Sequence, residues 1–191
     1  MAMHILLKYK ISKKDYAGAL DFAHKGYEFD NTSLWLMRLS IVLLRRISPA
    51  DHSSIRKILE EYSLIRTEKY DLELSFELAK QTYMDGRIPE AKSMFGLLFR
   101  RSQHHPRRLI PREPEDRWFE KEGPKRFYGT ITQIPTENRY GRIRTTNPPQ
   151  FDDLIAVRFV DTRYLYPKVG DRVSYEIVFN MLGPEASKVR E

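Results

Sequence analysis

Residues 127–144 read FYGTITQIPTENRYGRIR, and this stretch decides the fold of the C-terminal third of the chain. A short alternating segment runs into a polar turn, and a second segment follows in which arginine stands at 139, 142 and 144. Apolar and polar residues that alternate with period two predict β-strands. An exposed ring, arginines and a permissive glycine suit a surface for single-stranded nucleic acid, because rings stack on bases and guanidinium groups bind phosphate.

Five strand-like runs occupy the residues after Lys125, and turns rich in Pro, Gly and Asn separate them. The runs are Arg126–Ile134, Tyr140–Thr145, Asp153–Phe159, Arg172–Phe179 and Ala186–Val189. Five short strands are the number found in a small barrel of the OB type. We therefore expect an α+β protein of two domains, with N-terminal α-helical hairpins followed by a C-terminal five-stranded barrel.

The motifs of these runs resemble those of the cold-shock domain. The matching segments are Gly129-Thr130-Ile131, Asn138–Ile143, Ile155–Phe159, Gly170–Ile177 and Gly183–Val189, in the order and spacing of that family. The resemblance implies a barrel that binds single-stranded RNA or DNA on one open face.

The expected binding face departs from the family pattern. Gln133-Ile134 stands where the family has a Trp-Phe pair, and Arg142, Ala156 and Arg158 replace Phe, Phe and His. Losing these rings weakens stacking, and arginine compensates in part, so we expect weak and strongly salt-dependent binding. The candidate nucleic-acid-binding residues are Tyr140, Arg142, Arg158 and Phe159, flanked by Arg139 and Arg144.

The first hundred residues favour about six helices in antiparallel pairs, since apolar residues recur at three- and four-residue spacing. Ala19 and Ala91 lie 72 residues apart, which is twice 36, and a middle unit is centred near Ile55. The segment resembles three degenerate tetratricopeptide-like units, which implies a groove for a protein partner. A plain helical bundle without repeats is the alternative.

A proline-rich basic segment, 103–125, separates the helical domain 1–102 from the barrel 126–191. Between Arg100 and Arg126 nine basic residues accompany five acidic ones, and the candidate basic patch of the linker is Arg107, Arg108 and Arg112. Basic segments favour polyanionic partners, although a solvated linker is an equally simple interpretation. Trp118-Phe119 is unusual in a free linker, and we expect it to pack back on one of the domains.

Composition and motifs favour binding over catalysis. The 191 residues carry a net charge of +7 and no cysteine, which excludes disulfides and thiolate metal sites and fits a reducing, cytoplasmic location. The sequence shows neither a glycine-rich phosphate loop nor a nucleophile elbow. We expect no cofactor, metal or membrane partner, and we expect Asp152-Asp153 to lie in a solvated loop.

These observations predict a non-catalytic adaptor whose barrel binds single-stranded RNA or DNA and whose helical groove binds a protein partner. The alternative is a scaffold for protein–protein contacts, the C-terminal sensing part of a larger protein, in which the barrel no longer binds nucleic acid. The Met-Ala-Met-His start leaves open whether the chain is a piece of a longer protein.

Overall fold

A computed structural model describes residues 2–30, 33–48, 51–65, 72–103, 117–120, 123–134, 141–151, 153–157 and 167–191. The chain forms two compact units, Met1–Gln81 and Thr82–Glu191. The described helices are α1 (Ala2–Ser12), α2 (Tyr16–Phe29), α3 (Leu34–Ile47), α4 (His52–Ile65), α5 (Leu72–Met84) and α6 (Ile88–Arg101). The predicted six helices and the α+β class are confirmed.

Side-chain caps mark the starts of two helices. Asp15 Oδ1 accepts a hydrogen bond from the Gly18 amide at 2.9 Å and caps α2. Ser33 Oγ accepts from the Leu36 amide at 3.4 Å and caps α3. Pro89 occupies the first turn of α6, where its missing N–H costs nothing.

The 36-residue period is present in the helices. Helices α2, α4 and α6 begin at Tyr16, His52 and Ile88, which are 36 residues apart. The fourth residue of each of these three helices is fully buried. The residue four positions later is at most 2% exposed. These residues are Ala19, Ile55 and Ala91, then Ala23, Leu59 and Phe95. The three helices therefore repeat one burial pattern, while kinship of the helical segment with tetratricopeptide repeats stays a prediction.

A buried ion triad lies in the N-terminal unit. The Glu77 carboxylate accepts hydrogen bonds from Arg45 Nη1 at 3.0 Å and from Lys80 Nζ at 3.3 Å. All three side chains are almost entirely buried. Burial raises the pKa of Glu77, but the charges of Lys80 and Arg45 outweigh burial and hold that pKa at about 2, below its ordinary 4.5. The carboxylate therefore stays ionised and supplies the counter-charge that the two buried cations share.

The C-terminal unit contains a closed five-stranded barrel. Its strands are β3 (Arg126–Gln133), β4 (Gly141–Asn147), β5 (Leu154–Val157), β6 (Arg172–Asn180) and β7 (Gly183–Arg190). The order around the barrel is β3-β4-β5-β7-β6, and β3 also pairs with β6 to close it. The pair β5–β7 is parallel, and the other pairs are antiparallel. The predicted barrel is confirmed.

An aromatic core fills the barrel unit around Trp118. The indole is 2% exposed, and its ring centroid lies 4.9 Å from Phe151, 5.1 Å from Phe127 and 6.4 Å from Phe179. Such edge-on and tilted ring pairs are favourable beyond the apolar area that they bury. The Trp118 amide also donates to the Ile177 carbonyl at 3.0 Å. The prediction that this tryptophan packs back on a domain is confirmed.

A two-stranded hairpin lies in the C-terminal part of the predicted linker. It consists of β1 (Phe119–Glu120) and β2 (Gly123–Pro124), which directly follow the buried Trp118. Arg117 adds a bridge to Val178 of β6 and an ion pair to Glu176 at 3.1 Å. The end of the predicted linker is ordered because tryptophan burial and this ion pair hold it on the barrel.

Helix α6 and the end of α5 belong to the barrel unit. Tyr83 Oη donates to Asp153 Oδ2 at 3.3 Å, Lys92 forms an ion pair with the same carboxylate, and the Phe95 ring stacks on Phe179. Asp153 is 5% exposed, so the expectation of a solvated loop is wrong at this residue, whereas Asp152 lies outside the described residues. Burial, and secondly the Asp153 charge, raise the pKa of Tyr83, so its hydroxyl stays a donor.

The predicted domain ranges 1–102, 103–125 and 126–191 stay predictions. Residues 104–116, most of the proposed linker, lie outside the described residues. The division between compact units nevertheless falls between Gln81 and Thr82, within α5. The physical reason is that Tyr83, Lys92 and Phe95 make their tertiary contacts with barrel residues.

Replacing Glu77 with alanine should destabilise the protein by about 3–5 kcal/mol, because Arg45 and Lys80 then remain buried without a counter-charge. Denaturant unfolding followed by far-ultraviolet circular dichroism measures this loss. The control is Asp21→Ala, which removes an exposed pair with Lys25 and should change stability by less than about 0.5 kcal/mol. Equal losses in the two variants would contradict the stabilising role of the triad.

Because of the Glu77 carboxylate, we expect the stability of the protein to depend on pH under acid conditions. The carboxylate's folded pKa of about 2 lies below the ordinary 4.5, so its contribution is fully present above pH 4.5 and is lost as the pH falls towards 2. The stability of Glu77→Gln should therefore fall less steeply between these pH values than that of the parent protein. Parallel curves of unfolding free energy against pH would show that Glu77 does not titrate as described.

Candidate nucleic-acid interface

Strand β4 presents two of the predicted arginines on the outer face of the barrel. Gly141, Ile143 and Thr145 are buried, whereas Arg142 and Arg144 are exposed. This alternation follows from the period of a strand, since successive side chains point to opposite faces of the sheet. The inward residues fill the barrel, and both guanidinium groups therefore lie on one outer face.

A row of three residues crosses this face. Arg144 of β4 is the register partner of Thr130 on β3, and Thr130 is the partner of Arg172 on β6. Adjacent strands lie about 4.8 Å apart, so the two arginine backbones are separated by about 10 Å. Arg172 is exposed as well. The face thus carries one cationic side chain on each side of Thr130.

Tyr128 supplies an aromatic ring beside this row. It lies two residues before Thr130 on the same face of β3, it is 51% exposed, and its register partner on β6 is Ser174. Arg172 is therefore its diagonal neighbour across the strand pair, within reach of long side chains. Tyr128 and Arg172 were not among the predicted site residues. The sequence signal that could have found them is strand alternation, because Tyr128 and Arg172 each stand next to an apolar residue, Phe127 and Val173, that points inward.

A groove of about 510 Å³ opens between β3, the end of β4 and β6. Its lining includes Tyr128, Thr130, Thr146, Arg172, Ser174 and Glu191. This volume falls in the range of about 300–1,000 Å³ that small-molecule sites occupy. A second groove of about 200 Å³, beside Arg142, is bordered by Ala156, Leu182 and Pro184 and lies below that range. The larger groove thus lies between a ring and a guanidinium.

The described arginines of the barrel unit differ in whether their guanidinium groups bond to other residues of the protein. Arg117 and Arg126 pair with Glu176 at 3.1 and 3.4 Å, and Arg126 also donates to Ser174 Oγ at 2.7 Å. Within the described part of the chain, the guanidinium groups of Arg142 and Arg172 make neither ion pairs nor side-chain hydrogen bonds. Their donors can therefore meet an external anion without breaking an internal contact.

Most of the predicted binding residues lie outside the described residues. Of the six on the barrel, the structure describes Arg142 and Arg144 and brings them together on one face. The others, and the three arginines of the linker patch, stay predictions; they are Arg139, Tyr140, Arg158 and Phe159, and Arg107, Arg108 and Arg112.

Gly129 holds the two strands of this face close together. An added Cβ at this position would lie 2.4 Å from the Arg144 carbonyl oxygen and 2.7 Å from Ile143 Cγ2. The β3–β4 register also shifts between Tyr128 and Gly129, which marks an irregularity in the ladder. Glycine is thus required by the close approach of β4, and it sets the position of Tyr128 relative to the arginines.

Behind the face lies a buried hydroxyl pair. Thr145 Oγ1 and Tyr175 Oη are 2.6 Å apart, and burial raises the pKa of Tyr175. Because Thr145 alternates with the exposed Arg144, this bond fixes the inner side of β4 directly behind the arginine row. Such a satisfied polar pair favours one register of the strand.

The structure shows no group of three or more His, Asp or Glu side chains placed to hold a metal ion among the described residues. Likewise, none of the described helices is both long and apolar enough to span a bilayer.

The chain matches no protein-family model and no curated protein. Similar solved structures include Ag(I)CusF, with 14% identity, 35% of this chain and 93% of that chain covered, and a TM-score of 0.29. Another is apo-CusF from Escherichia coli, with 16% identity, 38% and 93% coverage and a TM-score of 0.28.

Replacing Gly129 with alanine should destabilise the barrel by about 1–3 kcal/mol, because the new methyl group forces β3 and β4 apart. Thermal unfolding followed by the near-ultraviolet signal of the buried Trp118 measures the effect. The matched control is Gly96→Ala on the exposed side of α6, where an added Cβ meets nothing within 4 Å. That change should stabilise by about 0.5–1 kcal/mol. A neutral Gly129→Ala would contradict the close approach.

Proposed function

We propose that the protein is a non-catalytic adaptor whose barrel binds single-stranded nucleic acid on its outer face. The observation that carries this proposal is the shared outer face of Arg142 and Arg144 beside the half-exposed Tyr128 ring. Guanidinium groups bind phosphates, and a ring accepts a stacked base. The unpaired bases of a single strand can reach such a ring, whereas those of a duplex are already stacked.

The binding should be weak and dominated by charge. Each base–aromatic stack contributes about 1–3 kcal/mol, and Tyr128 is the one exposed ring among the described residues of the face. The remaining affinity comes from phosphate contacts of the arginines, and these are lost as salt rises. We expect RNA and single-stranded DNA to bind alike, since phosphates and bases are common to both.

The helical unit is the proposed site of the protein partner. Ile5, Leu6 and Tyr9 of α1 are between 47% and 62% exposed, although they lie beside the buried Leu7. Exposed apolar side chains clustered on one helix are typical of protein contact surfaces. They support an adaptor that holds a protein through its helices and nucleic acid through its barrel.

A protein–protein scaffold is the second candidate. Leu154, the register partner of Arg144, is 49% exposed, and Leu182 beside the smaller groove is 37% exposed. Apolar residues next to arginines also fit an acidic protein surface. In this case the outer face of the barrel would bind protein and retain no oligonucleotide.

Replacing both Arg142 and Arg144 with glutamine should weaken binding of a fluorescein-labelled single-stranded 12-mer, measured by fluorescence anisotropy. Each phosphate contact contributes about 0.7 to the slope of log affinity against log salt for single strands, so the slope should fall by about 1.4. The reason is that both arginines are exposed on one face.

The control is Arg100→Gln with Arg101→Gln, which removes the same charge from the exposed last turn of α6. It should leave the salt slope within about 0.3 of the parent value, since only contacted phosphates contribute. A parent protein that binds no RNA or DNA oligonucleotide at low salt would sink the proposal and favour the scaffold. Equal losses in both double variants would point to net charge rather than to this face.

A further inference from the structure

We infer that the groove beside Tyr128 is a site for one unpaired nucleotide, with the base stacked on the Tyr128 ring and its phosphate on Arg172. This inference rests on the proposed function and extends it to β6, because Arg172 lies outside the strand that carries Arg142 and Arg144. The groove volume of about 510 Å³ distinguishes it from the smaller groove of about 200 Å³ beside Arg142.

The register places the groups at suitable positions for one nucleotide. Tyr128 pairs with Ser174 and Thr130 pairs with Arg172, so Tyr128 and Arg172 stand at opposite corners of one four-residue patch. Diagonal neighbours across an antiparallel pair lie about 7–8 Å apart. A base on the ring therefore leaves its sugar and phosphate within reach of the flexible Arg172 side chain.

Hydroxyl groups line the remaining wall of the groove. Ser174 Oγ accepts a hydrogen bond from Arg126, which leaves its own proton to donate into the groove. Thr146 Oγ1 donates to the Tyr128 carbonyl at 3.3 Å and so keeps acceptor capacity. Thr130 Oγ1 makes no hydrogen bond within the described part of the chain. Such mixed donors and acceptors suit sugar and base edges.

Charge orients the nucleotide in the groove. Glu191 and Arg172 both line the groove, and Arg144 faces Thr130 from β4. A carboxylate accepts from exocyclic amino groups of bases. The phosphate is therefore expected at Arg172, which lies one diagonal from Tyr128.

The test is fluorescence anisotropy with labelled single-stranded 4-mers and 12-mers of RNA and of DNA, on the full chain and three variants. Tyr128→Ala should weaken binding by about 5- to 150-fold, the effect of losing one base–aromatic stack. Tyr128→Phe keeps the ring and should stay within about twofold of the parent protein. Arg172→Gln should lower the salt slope by about 0.7, the contribution of one phosphate. Circular dichroism confirms that each variant is folded.

The outcomes separate the nucleotide site from the proposed function. Loss with Tyr128→Ala, retention with Tyr128→Phe and a reduced slope with Arg172→Gln support the site. Unchanged binding in Tyr128→Ala and Arg172→Gln, together with loss in Arg142→Gln/Arg144→Gln, overturns the site and leaves the function standing. Equal losses in the alanine and phenylalanine variants overturn ring stacking. A parent protein that binds neither RNA nor DNA overturns both proposals.

Discussion

Closure of the barrel is the constraint on which the account of this protein depends. Strand β3 pairs with β4 on one edge and with β6 on the other. Each side chain of β3 therefore points either into the barrel or to its outer face. The interior is occupied by apolar side chains such as Ile131 and Ile143 and by the Thr145–Tyr175 hydroxyl pair, so it offers the arginines no counter-charge. The outward position of Arg142, Arg144 and Arg172 thus follows from the packing of apolar side chains on the opposite side of the same strands.

The barrel unit is completed by residues that the helical pattern contributes. Tyr83 and Phe95 add rings to the aromatic core, and Lys92 neutralises the buried Asp153. A small barrel buries a limited apolar area by itself, and a packed helix increases it. The third helical hairpin therefore obeys the 36-residue repeat in sequence while its second helix contributes to the core of a different unit. The position of a helix in the 36-residue repeat therefore does not determine the compact unit in which it packs.

Much of the fold could be predicted from the sequence, because period and capping are local signals. Asp15, Ser33 and Pro89 mark helix starts, and alternation marks β3 and β4. The candidate site was predicted only in part. Arg142 and Arg144 follow from alternation within one strand, but the partnership of Thr130 with Arg172 joins residues 42 positions apart and depends on barrel closure. The burial of Asp153 depends on its ion pair with Lys92, which lies 61 positions away. No local sequence pattern predicts a pair at that separation.

The most direct test of the central claim is a two-dimensional ¹⁵N–¹H NMR titration of the full chain with a short single-stranded RNA. We expect amide shifts to concentrate on Tyr128, Thr130, Arg142, Arg144 and Arg172, which share the outer face of β3, β4 and β6. Amides of α2 and α3, in the other compact unit, should not move. An absence of shifts on the barrel face at saturating RNA, or shifts confined to the helices, would contradict the claim that this face binds unpaired nucleotides.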